Sequence, residues 1–460
     1  MHTKQSAWLR DNHRHEVLGT QRPGRLSVLR FLARYPIFLL GFGPPIFRSQ
    51  TVDATTGVTD FWSILQIGWL TLITLRAIYR LVWPESILIP KQIRSILKLA
   101  FFLGLLFLAS SLYSGSPLVS AAYSVFYFFT LICVIEFIVD VYRNPPNWVE
   151  CLFHLRFIAL FLFLAVVLVL PISPQSVMMG APGLGIRLHG GTVAPMPVVC
   201  PMIAIISAYI FLHFLEPRPR AVFFFFAGMV GTLATQARGA EVALLLVFSL
   251  IAMDWARTSR RAGYMVIFGF NACIFLGGAI IGGVGGGRIW SFFNRGQDAR
   301  GIESASGRTE IWKFVIQYCM AHPQGMGYVA GFRILFREYF TLEPLLQVTH
   351  IGNTHNVFVQ YLADAGWAAL AIYLIMLAKV LALGFRFAAK RAPVSFDLDS
   401  TSRHALRCAL ALLVYFLVEG LDISDFAAPL RIPFYFQNLV IAIILGVSAQ
   451  MIATSRIRPT

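Results

Sequence analysis

Long apolar runs recur along this chain, and several reach the roughly 20 residues that a helix needs to cross a bilayer. Hydrophobic residues make up 57% of the sequence and charged residues only 13%, whereas soluble domains carry about 25% charged residues. The runs do not alternate between apolar and polar positions, which excludes barrel strands. A backbone in lipid must satisfy its own hydrogen bonds, so these runs are expected to be helices. We therefore predict an all-α integral membrane protein.

A hydropathy window of about 19 residues predicts a polytopic transmembrane bundle of about 12 spans. The first span is broken by proline, and the two that flank Gln236 are short. The predicted spans are Phe31–Phe47, Phe61–Val82, Ile96–Tyr113, Pro117–Tyr142, Cys151–Leu170, Val193–Leu215, Ala221–Thr235, Glu241–Trp255, Gly263–Gly286, Val357–Phe385, Leu406–Leu421 and Pro433–Ala453.

Basic residues between the spans predict the orientation of the bundle. Lys and Arg concentrate in every second connecting segment if the N-terminus lies in the cytoplasm, as the positive-inside rule requires. Both termini are therefore expected in the cytoplasm. This topology also accounts for the net charge of +16, so no nucleic-acid partner is expected. No small-residue cleavage site follows the basic N-terminal segment, and we expect no cleavable signal peptide.

One connecting segment, 288–354, is both long and basic although this topology puts it on the outer side. It divides the chain into N-terminal transmembrane helices (1–287), an outer loop (288–354) and C-terminal transmembrane helices (355–460). Loops longer than about 60 residues cross membranes largely regardless of charge, so the topology stands and the arginines need another explanation. These arginines are Arg288, Arg295, Arg300, Arg308, Arg333 and Arg337.

Within this loop, an amphipathic helix is predicted from about Arg308 to Ala321. Ser306-Gly307 opens the helical stretch and His322-Pro323 ends it. Its apolar face is predicted to lie at the outer membrane surface and to consist of Ile311, Phe314, Val315 and Tyr318. His355 comes where the chain re-enters the membrane, so Arg308 and His355 are both expected near the outer surface.

Two further arginines belong to the same level of the predicted bundle. Arg238 lies in the outer turn between two short spans, and Arg187 lies in the loop before the Val193 span. An ionisable residue at the membrane is costly, which favours a functional role for Arg238. Snorkelling to the interface is the alternative for Arg238. Arg187 and Arg333 fit an exposed loop equally well.

Arginines that converge outside a bilayer suit a lipid-linked diphosphate. Guanidinium binds phosphate oxygens in pairs and keeps its charge, so it can stabilise a diphosphate leaving group without a metal or another cofactor. A sugar acceptor needs a base for its hydroxyl proton, and histidine suits that role near neutral pH. For His355, a hydrogen bond to backbone at a helix start is the alternative interpretation.

The order of several motifs resembles the O-antigen ligase/polymerase family. The resemblance is clearest from Arg187 to Gly384, and the layout of many spans with one large periplasmic loop is similar too. The motifs are Thr235-Gln236-Ala237-Arg238-Gly239, Gly307-Arg308-Thr309-Glu310-Ile311-Trp312, Pro323 with Gly325 and Gly327, and His355-Asn356 with Asp364 and Gly366.

This resemblance implies an enzyme of the bacterial inner membrane that transfers glycans from undecaprenyl diphosphate at the periplasmic face. Matched by position, Arg238 and Arg308 would hold the diphosphate and His355 would activate the acceptor hydroxyl. A ligase passes the chain to lipid A-core, whereas a polymerase passes it to another repeat unit, and both alternatives stay open. Contributions to substrate binding are expected from Arg187, Arg333, Asn356 and Trp312.

Other functions fit parts of the sequence. A different polyprenyl-phosphate-sugar glycosyltransferase would use a carboxylate of the first outer loop, where Asp53 and Asp60 lie. A lipid-linked glycan flippase would show repeated halves and charges near the midplane, and no repeat is visible. The acidic group of Glu419, Asp422 and Asp425 is interpreted as acceptor binding or, more simply, as solvation of a helix end.

Overall fold

The structure is a computed structural model of the chain. It describes residues 25–40, 61–82, 89–144, 146–181, 185–190, 194–213, 215–256, 308–332, 334–335, 354–389, 397–423, 425–427 and 429–457.

Helices dominate these residues and follow the predicted apolar runs. In chain order they are α1 (Arg25–Arg34), α2 (Ile37–Leu40), α3 (Phe61–Val82), α4 (Lys91–Ser110), α5 (Pro117–Arg143), α6 (Trp148–Val169), α7 (Pro174–Val177), α8 (Met196–Leu212), α9 (Arg218–Thr235), α10 (Arg238–Ala256), α11 (Arg308–Ala321), α12 (Val357–Ala389), α13 (Asp397–Glu419) and α14 (Ile432–Ile457). A 3-10 turn, Asp425–Ala427, lies between α13 and α14.

One antiparallel hairpin departs from the predicted all-α fold. Strands β1 (Met178–Ala181) and β2 (Gly185–Leu188) pair with Met179 opposite Arg187. They form in the connection that was predicted as an outer loop, between the end of α6 and the start of α8. A hairpin satisfies the backbone hydrogen bonds of this connection locally, and β2 contacts α9.

Six helices of the described chain are long and apolar enough to cross a membrane. The qualifying segments are Ile64–Val82, Lys91–Ser110, Pro117–Arg143, Trp148–Val169, Val357–Ala389 and Ile432–Ala453. These helices confirm a multi-pass helical membrane protein. The number of about 12 spans and the orientation stay predictions, and the predicted span Gly263–Gly286 lies outside the described residues.

Large apolar side chains cover the outer surface of these helices. Leu72 of α3 is 65% exposed, Phe223 of α9 is 68% exposed and Val230 of the same helix is 65% exposed. In water such a surface is unfavourable, but in a bilayer it faces hydrocarbon. Between helices, small residues allow close approach: a Cβ on Gly228 of α9 would lie 2.6 Å from the Ala204 nitrogen of α8.

Buried ion pairs join helix ends at one end of the bundle, which we call the basic end. Arg80 of α3 binds Glu136 at 2.6 Å and Asp140 at 2.9 Å, both on α5. Arg156 of α6 binds Glu216, before α9, at 2.5 Å.

The helix predicted in the long loop has the expected bounds, Arg308–Ala321. Its buried stripe consists of Ile311, Val315 and Cys319, which pack against α12. Phe314 and Tyr318, predicted on the same face, are only half-buried. The stripe is narrower than predicted because, among the described helices, it packs mainly against α12.

Candidate active site

The opposite end of the bundle brings together several helix termini that carry charge, and we call it the site end. Arg308, the first residue of α11, forms an ion pair with Asp422, which follows the end of α13. The two side chains are 27% and 31% exposed. The Asp422 backbone nitrogen donates to the Glu419 carbonyl at 2.8 Å, so the end of α13 fixes where this carboxylate stands.

Arg238 begins α10 after a sharp turn. Gln236 adopts a left-handed backbone (φ 50°) that ends α9, and the Ala237 nitrogen donates to Thr235 Oγ1 at 3.2 Å. The turn lies against Asp422, because a Cβ on Gly239 would come within 2.7 Å of the Asp422 Cβ and 2.8 Å of its Oδ2. Asp422 therefore stands between the start of α10 and Arg308.

The guanidinium of Arg238 has hydrogen-bonding capacity left over. Its Nε and Nη2 atoms are buried, and neither has a hydrogen-bond partner among the described residues. Buried donors are nearly always paired in proteins, so two such donors on one side chain require an explanation. An anionic ligand at the site end would supply the missing acceptors.

His355 lies at the N-terminus of α12, where the backbone is strained. Its φ is +53°, a conformation that side chains other than glycine rarely adopt. Asn356 caps α12, since its Oδ1 accepts from the Phe358 and Val359 nitrogens at 2.9 and 3.1 Å. The Val357 nitrogen donates to the Gly420 carbonyl at 2.7 Å, which ties the start of α12 to the end of α13.

Burial lowers the pKa of His355 to about 4, and the positive charge of Arg308 contributes to this lowering. Asp425, on the 3-10 turn, acts in the opposite direction. The imidazole is therefore neutral at pH 7 and able to accept a proton. A neutral base close to Arg308 fits transfer to a hydroxyl group, with an anionic leaving group held nearby.

Comparison with known families decides the assignment. Residues 221–374 match the family model described as O-antigen ligase. This chain carries an O-antigen ligase domain. No curated protein matches the chain. The O-antigen ligase family consists of glycosyltransferase-type enzymes that use lipid-linked glycans in a membrane, so the resemblance seen in the motifs is confirmed at that level.

The O-antigen ligase domain contains three of the residues predicted to do chemistry, Arg238, Arg308 and His355. The structure brings these three to the site end. Asp422 and Asp425 reach the same place from beyond the matched segment. The C-terminal helices therefore complete the charged environment of the O-antigen ligase domain.

The residues predicted to bind substrate are not all at the site end with free side chains. Trp312 donates from Nε1 to the Thr354 carbonyl at 2.9 Å, and the Asn356 amide is engaged with backbone, including the Leu421 carbonyl at 3.3 Å. Trp312 thus joins two parts of the O-antigen ligase domain, and Asn356 joins the domain to the end of α13. Arg187 lies on β2. The remaining predicted positions, Arg333 and the first-loop residues Asp53 and Asp60, lie outside the described residues.

The partner of Arg308 was not identified from the sequence. In the sequence, Asp422 belongs to an acidic group with Glu419 and Asp425, for which helix-end solvation is the simpler interpretation. No local pattern links it to Arg308, because the two residues are far apart in the chain. A search for acidic residues at other predicted outer helix ends is the one signal that points to this pair.

Proposed function

We propose that this protein is a glycosyltransferase that moves a glycan from undecaprenyl diphosphate to an acceptor hydroxyl at the periplasmic face of the bacterial inner membrane. The observation that carries this proposal is the unused pair of buried donors on Arg238, at the end of the bundle where Arg308 and the neutral imidazole of His355 also lie. The acceptor is lipid A-core, as in a ligase. The reaction uses neither metal nor cofactor.

The donor diphosphate is held by the two arginines. Arg238 offers Nε and Nη2, which carry no hydrogen bond to the described protein. Arg308 binds a carboxylate in the free protein, and phosphate oxygens present a similar fork of acceptors to guanidinium. The incoming diphosphate therefore displaces Asp422 from Arg308 and bridges both arginines.

The transfer step follows from these positions. His355 takes the proton of the acceptor hydroxyl, and the oxygen forms a bond to the anomeric carbon of the donor sugar. The bond between that carbon and the phosphate oxygen breaks, and its electron pair leaves with undecaprenyl diphosphate. The arginines stabilise the charge that develops on this leaving group.

A direct assay tests the residue roles. Purified protein in lipid nanodiscs receives an undecaprenyl-diphosphate-linked glycan and lipid A-core, and mass spectrometry detects the glycosidic product. His355→Ala and Arg308→Ala should each abolish product formation, whereas Arg220→Ala should not, because Arg220 lies at the basic end and its side chain is 67% exposed. Full activity of both site variants would contradict the proposal.

Polymerisation of lipid-linked repeat units is the alternative, because the Gly307–Trp312 motif also resembles exopolysaccharide polymerases. The same residues serve both reactions, and only the acceptor differs. Deletion of the gene separates them. Bare lipid A-core with polymer accumulating on undecaprenyl diphosphate supports the ligase, and accumulation of single repeats supports the polymerase.

A further inference from the structure

A buried chain of hydrogen bonds begins at Thr354, the residue before His355. The Thr354 nitrogen donates to Gln360 Oε1 at 3.1 Å, and Gln360 Nε2 donates to Asp364 Oδ1 at 2.8 Å. The same Asp364 oxygen accepts from the Val329 nitrogen at 2.9 Å. Thr354 and Asp364 are fully buried and Gln360 is 5% exposed, so water does not compete for these bonds.

Thr354 is held from a second side by the helix that carries Arg308. Its carbonyl accepts from Trp312 Nε1 at 2.9 Å, and Trp312 lies one turn after Arg308 on α11. The peptide groups on either side of Thr354 are thus fixed by two helices, α12 through Gln360 and α11 through Trp312. Any shift of α11 relative to α12 moves the residue that precedes His355.

The far end of α11 is joined to α12 by the same polar cluster. Helix α12 is broken at Ala365 and Gly366, where the backbone leaves helical geometry. This break frees the carbonyls of residues 363 and 364, which accept from the Met326 and Gly327 nitrogens at 2.7 and 3.0 Å. The turn after α11 is therefore fastened to α12 beside Asp364.

This cluster explains how the unusual backbone of His355 is maintained. A left-handed φ in a residue other than glycine persists only where its surroundings over-determine it. Thr354 on one side is held by Gln360 and Trp312, and Asn356 on the other side caps α12 and binds the Leu421 carbonyl. The Gln360 side chain links Thr354 to Asp364, because it accepts a hydrogen bond from the first and donates one to the second.

We infer that Gln360 and Asp364 are positioning residues, which hold the imidazole of His355 at its working distance from Arg308. The inference rests on the proposed function, because it assigns these residues to the proposed base. Glutamine is needed at 360 because it accepts from Thr354 and donates to Asp364 at once. Glutamate lacks the donor and would bring a second carboxylate beside Asp364, and methionine lacks both groups.

The test compares Gln360→Met with a matched variant, Gln437→Met. Gln437 is also buried and its Nε2 makes a buried hydrogen bond, to Tyr373 at 2.9 Å, between α14 and α12. Losing either glutamine removes buried hydrogen bonding, so both variants should be destabilised. Only Gln360→Met should change catalysis, with kcat about 10- to 100-fold lower, as a displaced catalytic group produces, and with the donor KM unchanged.

The pH dependence of the rate separates positioning of His355 from a purely structural role, because a loss of stability alone does not change the pKa of the catalytic group. In Gln360→Met the loosened imidazole gains water, so the acid limb of kcat/KM should move from about pH 4 toward the ordinary histidine value of 6.5. The charged groups that act on His355 are Arg308 and Asp425, while Glu419 and Asp422 interact with Arg308. All four remain in the variant.

Asp364→Asn is the conservative variant. It keeps the Oδ1 acceptor for Gln360 and Val329, so kcat should stay near the wild-type value and the acid limb should not shift. Asp364→Leu removes this acceptor and should behave like Gln360→Met. An unchanged kcat and acid limb in Gln360→Met would overturn the inference while leaving the proposed function intact if His355→Ala is inactive. A rise in donor KM at unchanged kcat would overturn it as well. An active His355→Ala would instead overturn the proposed function.

Discussion

Replacing Arg238 by alanine should separate stability from function. In the free protein, Nε and Nη2 of this side chain are buried without a hydrogen-bond partner in the described structure. A buried donor that lacks an acceptor costs free energy. Arg238→Ala removes that cost, so the variant should unfold at the same temperature as the wild type or slightly above it.

The loss of function can be worked out from the same two atoms. A hydrogen bond to a charged group contributes about 1.5–3 kcal/mol, so two such bonds to the donor diphosphate contribute about 3–6 kcal/mol. Each 1.36 kcal/mol changes a rate about tenfold, so kcat/KM for the lipid-linked donor should fall by about 10²- to 10⁴-fold. Arg238→Lys keeps the charge but loses the planar pair of donors, and it should fall between alanine and wild type.

The assay measures initial rates of glycan transfer in nanodiscs as donor concentration is varied, together with thermal unfolding of each variant in the same lipid. Arg220→Ala serves as control, because it removes an arginine from the basic end of the bundle. A destabilised Arg238→Ala with unchanged kcat/KM for the donor would refute the reasoning. It would mean that the guanidinium supports the fold and does not face the diphosphate.

Three other perturbations test separate parts of the site. Asp422→Asn releases Arg308 from a partly exposed ion pair worth about 0–1 kcal/mol. Calorimetry should therefore show that undecaprenyl diphosphate binds up to about fivefold more tightly. Weaker binding would argue against the displacement of Asp422 from Arg308 by the diphosphate. Because the pKa of His355 in the free folded protein is about 4, kcat/KM should hold from pH 7 to about 5 and fall only near pH 4, and an acid limb at 6.5 would contradict a buried neutral base. The same pKa difference makes the folded protein less stable as the pH falls from about 6.5 to 4. In that range the histidine takes up a proton in the unfolded chain but not in the folded protein, which favours unfolding. Gly325→Ala should lower the free energy of unfolding by about 2–4 kcal/mol, because φ is +86° and the new Cβ would lie 2.6 Å from a backbone nitrogen of α12. Gly68→Ala is the control, because nothing lies within 4 Å of its new Cβ and the substitution should not destabilise α3. Equal melting temperatures for the two variants would refute this reasoning.

Much of the helical layout is predictable from local sequence. Apolar runs locate the long helices because each must present an apolar surface along its whole length, and α3 has the predicted bounds, Phe61–Val82. The bounds of α11 follow from its opening motif and from His322-Pro323, since proline excludes the helical conformation for the residue before it. The hairpin of β1 and β2 was not predicted, because its short glycine-containing strands have no clear alternation.

Three residues at the site end could be singled out from the sequence, and their catalytic roles stay a prediction. Arg238, Arg308 and His355 were singled out because charged and titratable groups at a membrane boundary are costly and need a reason. Their environment was not predictable: the pairing of Arg308 with Asp422 and the bond between Thr354 and Gln360 are side-chain contacts that leave no periodic pattern.

By itself, the sequence determined that this protein is a multi-pass helical membrane protein with a segment that matches O-antigen ligases, because hydropathy and motif order can both be read along the chain. Only the tertiary structure decided which carboxylate meets Arg308, that donors of Arg238 are left over, and how a strained His355 is held. Those outcomes depend on hydrogen bonds and charges between helices far apart in the chain. Such interactions form only when packing has removed water and fixed the distances between them.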